Sequence, residues 1–315
     1  MNASRREFLR AGVGGLAALI GRAPGLGGGG AGRRKRPNIV LLMADDMGFS
    51  DTDCYGGEIP TPAISRLAEE GLRFSQFYNN ALCGPSRASL MTGLNPHAVG
   101  IGSRWTGLLE RNCVTLVELL KTAGYSTHAV GRLDMITADG EDGWHEPAML
   151  ARYLDNFFGS TGHKGPGNYF EAVRDQQFWL NGEPYERPAE GFYRTDANGD
   201  HAVRFLLGTA GDPRPFFLYC GFSSPHWPLQ ARPEDIARFR ELYRGLGWDQ
   251  VRDRRHRRLR EAGLIHGGCE LTPRDRRVPA WEKAKHRDWE AERMATYPGY
   301  FINLHQLLRF AVVVG

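Results

Sequence analysis

Three groups of residues in this chain are of types and at spacings that could do chemistry. The first is the adjacent pair Asp45-Asp46, the second is Cys83-Gly84-Pro85-Ser86-Arg87, and the third is His226, set in Pro225-His226-Trp227-Pro228. Neighbouring carboxylates repel, so a divalent cation is their natural partner. In the second group Gly84 and Pro85 fix a turn, and Ser86 is placed to cap the apolar run Ala88-Ser89-Leu90-Met91. Cys83 then stands at the electropositive start of a helix with Arg87 one turn on, a setting in which thiols are usually reactive. His226 can donate or accept a proton near neutral pH. Each has an ordinary alternative: an Asp pair is commonly a solvated turn, a lone cysteine a small buried hydrophobe, and a histidine between prolines a loop residue.

The elements that must position these groups follow from hydrophobic patterning. Ile39 to Met43 is apolar on both faces, which predicts a central strand of a parallel sheet covered on each side. It ends at Asp45-Asp46, and open α/β sheets place ligands at the carboxyl ends of their strands. A helix is expected near Ala63 to Glu70, then a second strand over Leu72 to Tyr78 that delivers the chain to Cys83. Thr115 to Ala123 reads as an amphipathic helix, Tyr125 to Val130 as a strand leading into Gly131-Arg132, and Asp196 to Leu207 as a helix. Pro215 to Phe222 is another apolar strand, and His226 follows its end. Asn156 to Gly159 and Gly167 to Phe170 read as aromatic loop segments. His128, His145 and His163 read as solvated or structural. The pattern gives an α/β fold with a mostly parallel central sheet flanked by helices.

Bulk properties narrow the partners. The 315 residues, 41% hydrophobic, suffice for one large domain or two small ones. Net charge is a mild +4. From Glu234 to about Arg293 the chain is strongly basic and helical in character; Arg252 to Arg260 lacks interleaved aromatics, so a solvated helix is expected there and no nucleic-acid partner. The five cysteines are odd in number and lack Cys-x-x-Cys spacing, which points to neither a zinc site nor a disulfide framework. Residues 1–36 read as a leader and linker: Ser4-Arg5-Arg6-Glu7-Phe8-Leu9 resembles a twin-arginine export signal. The apolar stretch Ala11 to Ile20 is too short to span a membrane. A periplasmic or secreted location is expected, with no stable membrane span.

Cys83-x-Pro85-Ser86-Arg87 followed by Ala88-Ser89-Leu90-Met91-Thr92-Gly93 resembles the signature of the sulfatase family, arylsulfatase-like members of the alkaline-phosphatase-like superfamily. The run Pro37 to Gly48 is similar to that family's opening motif, and Pro225-His226-x-Pro228 to its third. The resemblance implies that Cys83 is the precursor of a formylglycine made by a formylglycine-generating or sulfatase-maturating enzyme. It implies that Asp45, Asp46 and the modified Cys83 hold a calcium ion, that Arg87 and His226 are catalytic, and that the substrate is a small-molecule or glycan sulfate ester. Where the family usually reads Gly-Lys-Trp-His, this chain has Gly131-Arg132-Leu133-Asp134. Arg132 keeps the cation as a fork rather than a point charge. Asp134 is an acceptor-only carboxylate that repels sulfate, and it is not carried over.

The resemblance covers residues 37–297 and leaves 298–315 as a divergent tail, where Pro298-Gly299 should interrupt the helix begun near Trp289. The Asp-Asn-Gly that completes the family's calcium site does not occur in this chain. The expectation is therefore a fold incomplete at the C-terminus, from a truncated or frameshifted gene product, with an open apolar sheet edge and weak calcium binding. Two other readings of the same motifs stand beside the sulfatase: a phosphodiesterase or phosphonate hydrolase of this fold, and an inactive truncated remnant.

Overall fold

The structure is a computed structural model that describes residues 36–102, 113–133, 153–160, 177–188 and 190–311, the last nine by backbone only. Its framework is a six-stranded sheet in the order β1-β6-β2-β3-β4-β5. The strands are β1 (Ile39–Met43), β2 (Ser126–Arg132), β3 (Asn156–Ser160), β4 (Phe178–Leu180), β5 (Glu183–Tyr185) and β6 (Phe216–Gly221). Four run parallel, with β1 and β2 both on β6 and β3 on β2, while β4 and β5 add an antiparallel hairpin. β6, at the centre of the parallel part, is buried at every position, as expected of a strand covered on both faces.

The faces are distinguishable by what they bury. One packs Leu218, Cys220, Val130 and Phe158 with Phe205 and Leu206 of α4 (Arg194–Gly208) and Phe301 of α6 (Arg287–Ala311). The other packs Phe217, Tyr219, Ala129 and Phe157 with Met91 of α2 (Cys83–Thr92) and Val117 of α3 (Leu116–Thr122). α3 opens on a capping box: Thr115 Oγ1 accepts from the Glu118 N–H while the Glu118 carboxylate accepts from the Thr115 N–H. The remaining helices are α1 (Pro62–Glu70), which follows the loop after β1, and α5 (Pro233–Glu261), which packs along α6. α5 is broken at Gly247, whose backbone (φ 60°, ψ 176°) is non-helical where the Trp281 ring packs against it.

Several expectations are corrected. Leu72 to Tyr78 is not a strand; Leu72, Phe77 and Tyr78 are highly exposed, and no strand among the described residues offers the segment a ladder. A β-pattern becomes a strand only where a neighbour takes up its backbone groups. Asn156 to Gly159 is not a loop but β3, with Phe157 and Phe158 buried on opposite faces. Ser86 does not cap α2, which begins at Cys83 with Leu82 as its N-cap; the Ser86 hydroxyl instead accepts from the Asn80 N–H at 3.1 Å. Pro298 does not end the last helix, which continues from Arg287 to Ala311. Gly299 lies so close to Ala231, Asp235 and Ile236 at the start of α5 that a Cβ would stand 3.1 Å from each, so packing holds the helix through the proline. The basic region is helical from Pro233 to Glu261, and the chain from there to Arg287, where the last helix begins, is largely irregular.

Ile39 to Met43, expected to be a central strand, is instead the edge strand of the sheet among the described residues, paired with β6 on one side only and half-buried throughout. No helix of the described residues is long and apolar enough to cross a membrane. Asp134, His145, His163 and the leader lie outside the described residues.

Candidate active site

The carboxyl ends of β1, β2 and β6 and the start of α2 converge, and the chemically capable residues sit where they meet. β1 runs out into Asp45, whose N–H donates to the Ser224 carbonyl at 3.1 Å just past β6. That bond anchors the Asp pair to the loop carrying His226. At the end of β2, Gly131 has a left-handed backbone (φ 87°), and a Cβ there would lie 2.1 Å from the Gly221 carbonyl oxygen. Only glycine permits that approach, which brings the next residue, Arg132, to the rim.

Arg132 is the hub. One arm of its guanidinium donates to Asp45 Oδ2 at 2.6 Å and the other lies 3.6 Å from Cys83 Sγ. The two contacts use separate arms of the guanidinium fork. Arg87, wholly buried one helical turn after Cys83, places Nη2 3.4 Å from the same Asp45 oxygen. Its Nη1 donates to the Arg132 carbonyl at 2.9 Å and to the Tyr219 hydroxyl at 2.5 Å. Two guanidinium groups therefore meet the buried Asp45 charge, and Coulomb attraction at these distances in a water-poor setting is strong.

Asp46 faces elsewhere. Its side chain is 57% exposed, its backbone is left-handed (φ 64°), and Oδ2 stands 3.5 Å from His226 Nε2. His226 is buried apart from this edge, and Nδ1 is bonded to the Trp227 carbonyl. Because a carbonyl can only accept, Nδ1 carries the proton of that bond. Nε2 thus bears a second proton only in the imidazolium.

The structure brings together the six residues picked out by the sequence: Asp45, Asp46, Cys83, Arg87, Arg132 and His226. Within the Asp pair, Asp45 meets the two arginines while Asp46 turns toward His226. Tyr219 was missed. It lies on β6 between Arg87 and the Arg132 carbonyl, 3.3 Å from the latter, and its only signal was a lone polar tip in an apolar strand. His128 is structural as expected, buried between Ser126 Oγ and the Asn156 amide. Among the described residues no group of three or more His, Cys, Asp or Glu is arranged to hold a metal. The donor chemistry of Asp45 and Asp46 still suits a hard divalent cation, which takes carboxylate oxygens and fills its shell with water or substrate oxygens.

A mostly parallel sheet with carboxylates, guanidinium groups and a helix-start cysteine gathered at its carboxyl end is the arrangement in which α/β proteins take a ligand. Residues 37–262 match the sulfatase family model, and the chain belongs to that family. It is 31% identical to an arylsulfatase of Klebsiella aerogenes over 297 residues, spanning 88% of this chain and 62% of that protein. It is 34% identical over 242 residues to N-acetylgalactosamine-6-sulfatase of Canis lupus familiaris, spanning 68% of this chain and 44% of that protein. Among solved structures it resembles Ps i-CgsB with a TM-score of 0.63 at 28% identity, covering 89% of this chain and 55% of that one. The same protein is known in complex with k-i-k-neocarrahexaose. The chain thus spans between 44% and 62% of the length of these relatives.

Proposed function

We propose that this site hydrolyses sulfate esters through a formylglycine derived from Cys83 and a calcium ion held by Asp45 and Asp46. The observation that carries the reading is the Arg132 fork, which joins Asp45 at 2.6 Å to Cys83 Sγ at 3.6 Å. It links the cation-binding carboxylate to the atom that modification would convert. A bound divalent ion supplies Lewis acidity toward sulfuryl oxygens and lowers the pKa of a coordinated hydroxyl.

The chain's own residues supply the rest. Arg87 is held from two sides and keeps Asp45 and the Arg132 backbone in register. Arg132, 14% exposed at its side chain, presents a guanidinium to an incoming anion, and the start of α2 adds partial positive charge. These groups stabilise charge that spreads over equatorial oxygens in the transition state, the same demand that phosphoryl transfer makes. His226, with Nδ1 occupied, delivers the Nε2 proton of its imidazolium to the leaving alcohol oxygen. Met47 and Trp227, next in sequence to Asp46 and His226, and Phe49, three positions after Asp46, are exposed and offer apolar faces to an aryl or sugar ring. The substrate class we assign is a small-molecule or glycan sulfate ester. The leader assigns the protein to the periplasm or exterior.

The test is co-expression with a formylglycine-generating enzyme, mass spectrometry of the peptide containing Cys83, and an aryl sulfate assay on wild type and Cys83→Ala. Conversion of the thiol to an aldehyde, with hydrolysis abolished in the variant, supports the assignment. Hydrolysis surviving in Cys83→Ala refutes it, and faster turnover of a phosphodiester than of the sulfate ester reassigns the substrate.

A further inference from the structure

We infer that Arg255 and Asp51 form a clamp that positions the Asp45-Asp46 turn, making them positioning residues for the site; the inference rests on the reading above, in which those carboxylates hold the cation. Arg255 lies in the basic run of α5 expected to be a solvated face, yet its guanidinium turns inward. Nη1 donates to Asp51 Oδ1 at 2.5 Å, while Nε and Nη2 donate to the two oxygens of Glu58 at 2.6 and 2.7 Å. Asp51 is 5% exposed. Its other oxygen accepts from the Tyr297 hydroxyl of α6 and from the Gly48 N–H, both at 2.6 Å. Glu58 also accepts from Tyr243 of α5 at 2.5 Å. Burial alone would raise the Glu58 pKa, but the Arg255 bonds outweigh it and the net shift is downward.

These contacts close residues 48–58 into a buckle. Gly57 donates to the Thr52 carbonyl at 2.8 Å, and a Cβ at Gly57 would fall 2.2 Å from the Asp51 carbonyl oxygen. Arg258 donates to the Gly57 carbonyl at 3.0 Å and fastens the far end. The near end is the Gly48 N–H, two residues from Asp46. Asp46 holds a left-handed backbone at φ 64°. A non-glycine residue stays in that region when its surroundings over-determine it. Asp45 is fixed by Ser224 on one side, and the Asp51 carboxylate fixes Gly48 on the other, so the turn between them is held at both ends. The Asp51 carboxylate acts on the turn through the backbone, by its bond to the Gly48 N–H. As a stabilising device alone, a buried ion pair gives little that apolar packing could not.

The experiment compares wild type with Arg255→Met and Tyr297→Phe by hydrogen–deuterium exchange and by calcium titration, using terbium luminescence with calcium competition. In Arg255→Met, amides over residues 45–51 should exchange about tenfold faster or more, with peptides of β2 and β6 unchanged. Calcium affinity should fall about 10- to 100-fold. If Arg255→Met does not fold, Tyr297→Phe decides, because it removes one donor to Asp51 and leaves the ion pair; it should shift both readouts the same way by a smaller factor. Unchanged exchange over 45–51 and unchanged calcium affinity in a folded variant overturn the clamp. If wild type binds no calcium while the variants still speed exchange over 45–51, the metal assignment fails and the clamp on the carboxylates stands.

Discussion

Replacing Arg87 with methionine tests the electrostatics of the site independently of any turnover. The side chain is wholly buried, so methionine keeps most of its volume and removes the charge and donors. What is lost is the 3.4 Å approach to Asp45, a bond to the Arg132 carbonyl and a bond to Tyr219. The Arg132 carbonyl retains the Tyr219 hydroxyl at 3.3 Å, so the burden falls on Asp45, left with Arg132 at 2.6 Å. Breaking a buried ion pair by removing one partner costs about 3–5 kcal/mol, and the surviving Arg132 bond argues for the lower end, about 3. Against a typical stability of about 5–15 kcal/mol, that is a large fraction. In a urea titration followed by tryptophan fluorescence, the midpoint should drop by about 1–1.5 M at constant slope, taking a slope of about 2–3 kcal/mol/M. Because the cost is an uncompensated carboxylate, adding Asp45→Asn should recover part of it. The double variant should therefore cost less than the sum of the singles by about 1.5 kcal/mol or more. Additivity within about 0.5 kcal/mol, or an Arg87→Met cost below about 1 kcal/mol, would refute the argument that Asp45 is the charge these arginines neutralise.

Other tests address catalysis and pH. His226→Gln should lower kcat about 10²- to 10³-fold on alkyl or sugar sulfates, and much less on aryl sulfates whose leaving oxygen needs no proton; equal losses on both would remove the acid role. His201, buried and stacked on Phe158 at 3.7 Å, has its pKa lowered from 6.5 to about 4, chiefly by desolvation and further by Arg204. Between those values the unfolded chain binds a proton that the folded chain refuses, so stability falls as pH drops from 6.5 toward 4. The loss attributable to this residue is about 2–3 kcal/mol at pH 4.5, and His201→Phe, which keeps the stack, should flatten that part of the profile. Identical pH profiles for the two proteins would show that His201 takes up its proton in the folded state.

How much of this was legible beforehand depends on whether the physics was local. β6 announces itself because a strand buried on both faces must be apolar at every position, and that requirement is written in consecutive residues; β1 carries the same apolar run, which marks a strand but does not tell a central place from the edge it occupies. Part of the candidate site was legible for the same reason, since Asp45-Asp46 and His226 follow strand ends and Cys83 and Arg87 share a turn of helix; Arg132, the last residue of β2, was singled out through the resemblance to the sulfatase motifs. Leu72 to Tyr78 misled because an apolar alternating pattern states a preference, whereas a strand needs a partner's backbone, which composition does not supply. Asn156 to Gly159 misled in the opposite sense, its neighbours in β2 and β4 lying far away in the chain.

The sequence by itself determined the residue types at the site, the two-sided strands and the helix-start setting of the cysteine, because each rests on groups within a few positions of one another. Only the tertiary structure decided which charges meet: Arg132 with Asp45 across 87 positions, Tyr219 under Arg87 across 132, Arg255 on Asp51 across 204. Pairing energies fall off steeply with distance in space and are indifferent to distance along the chain, so partners of this kind are assigned by packing alone.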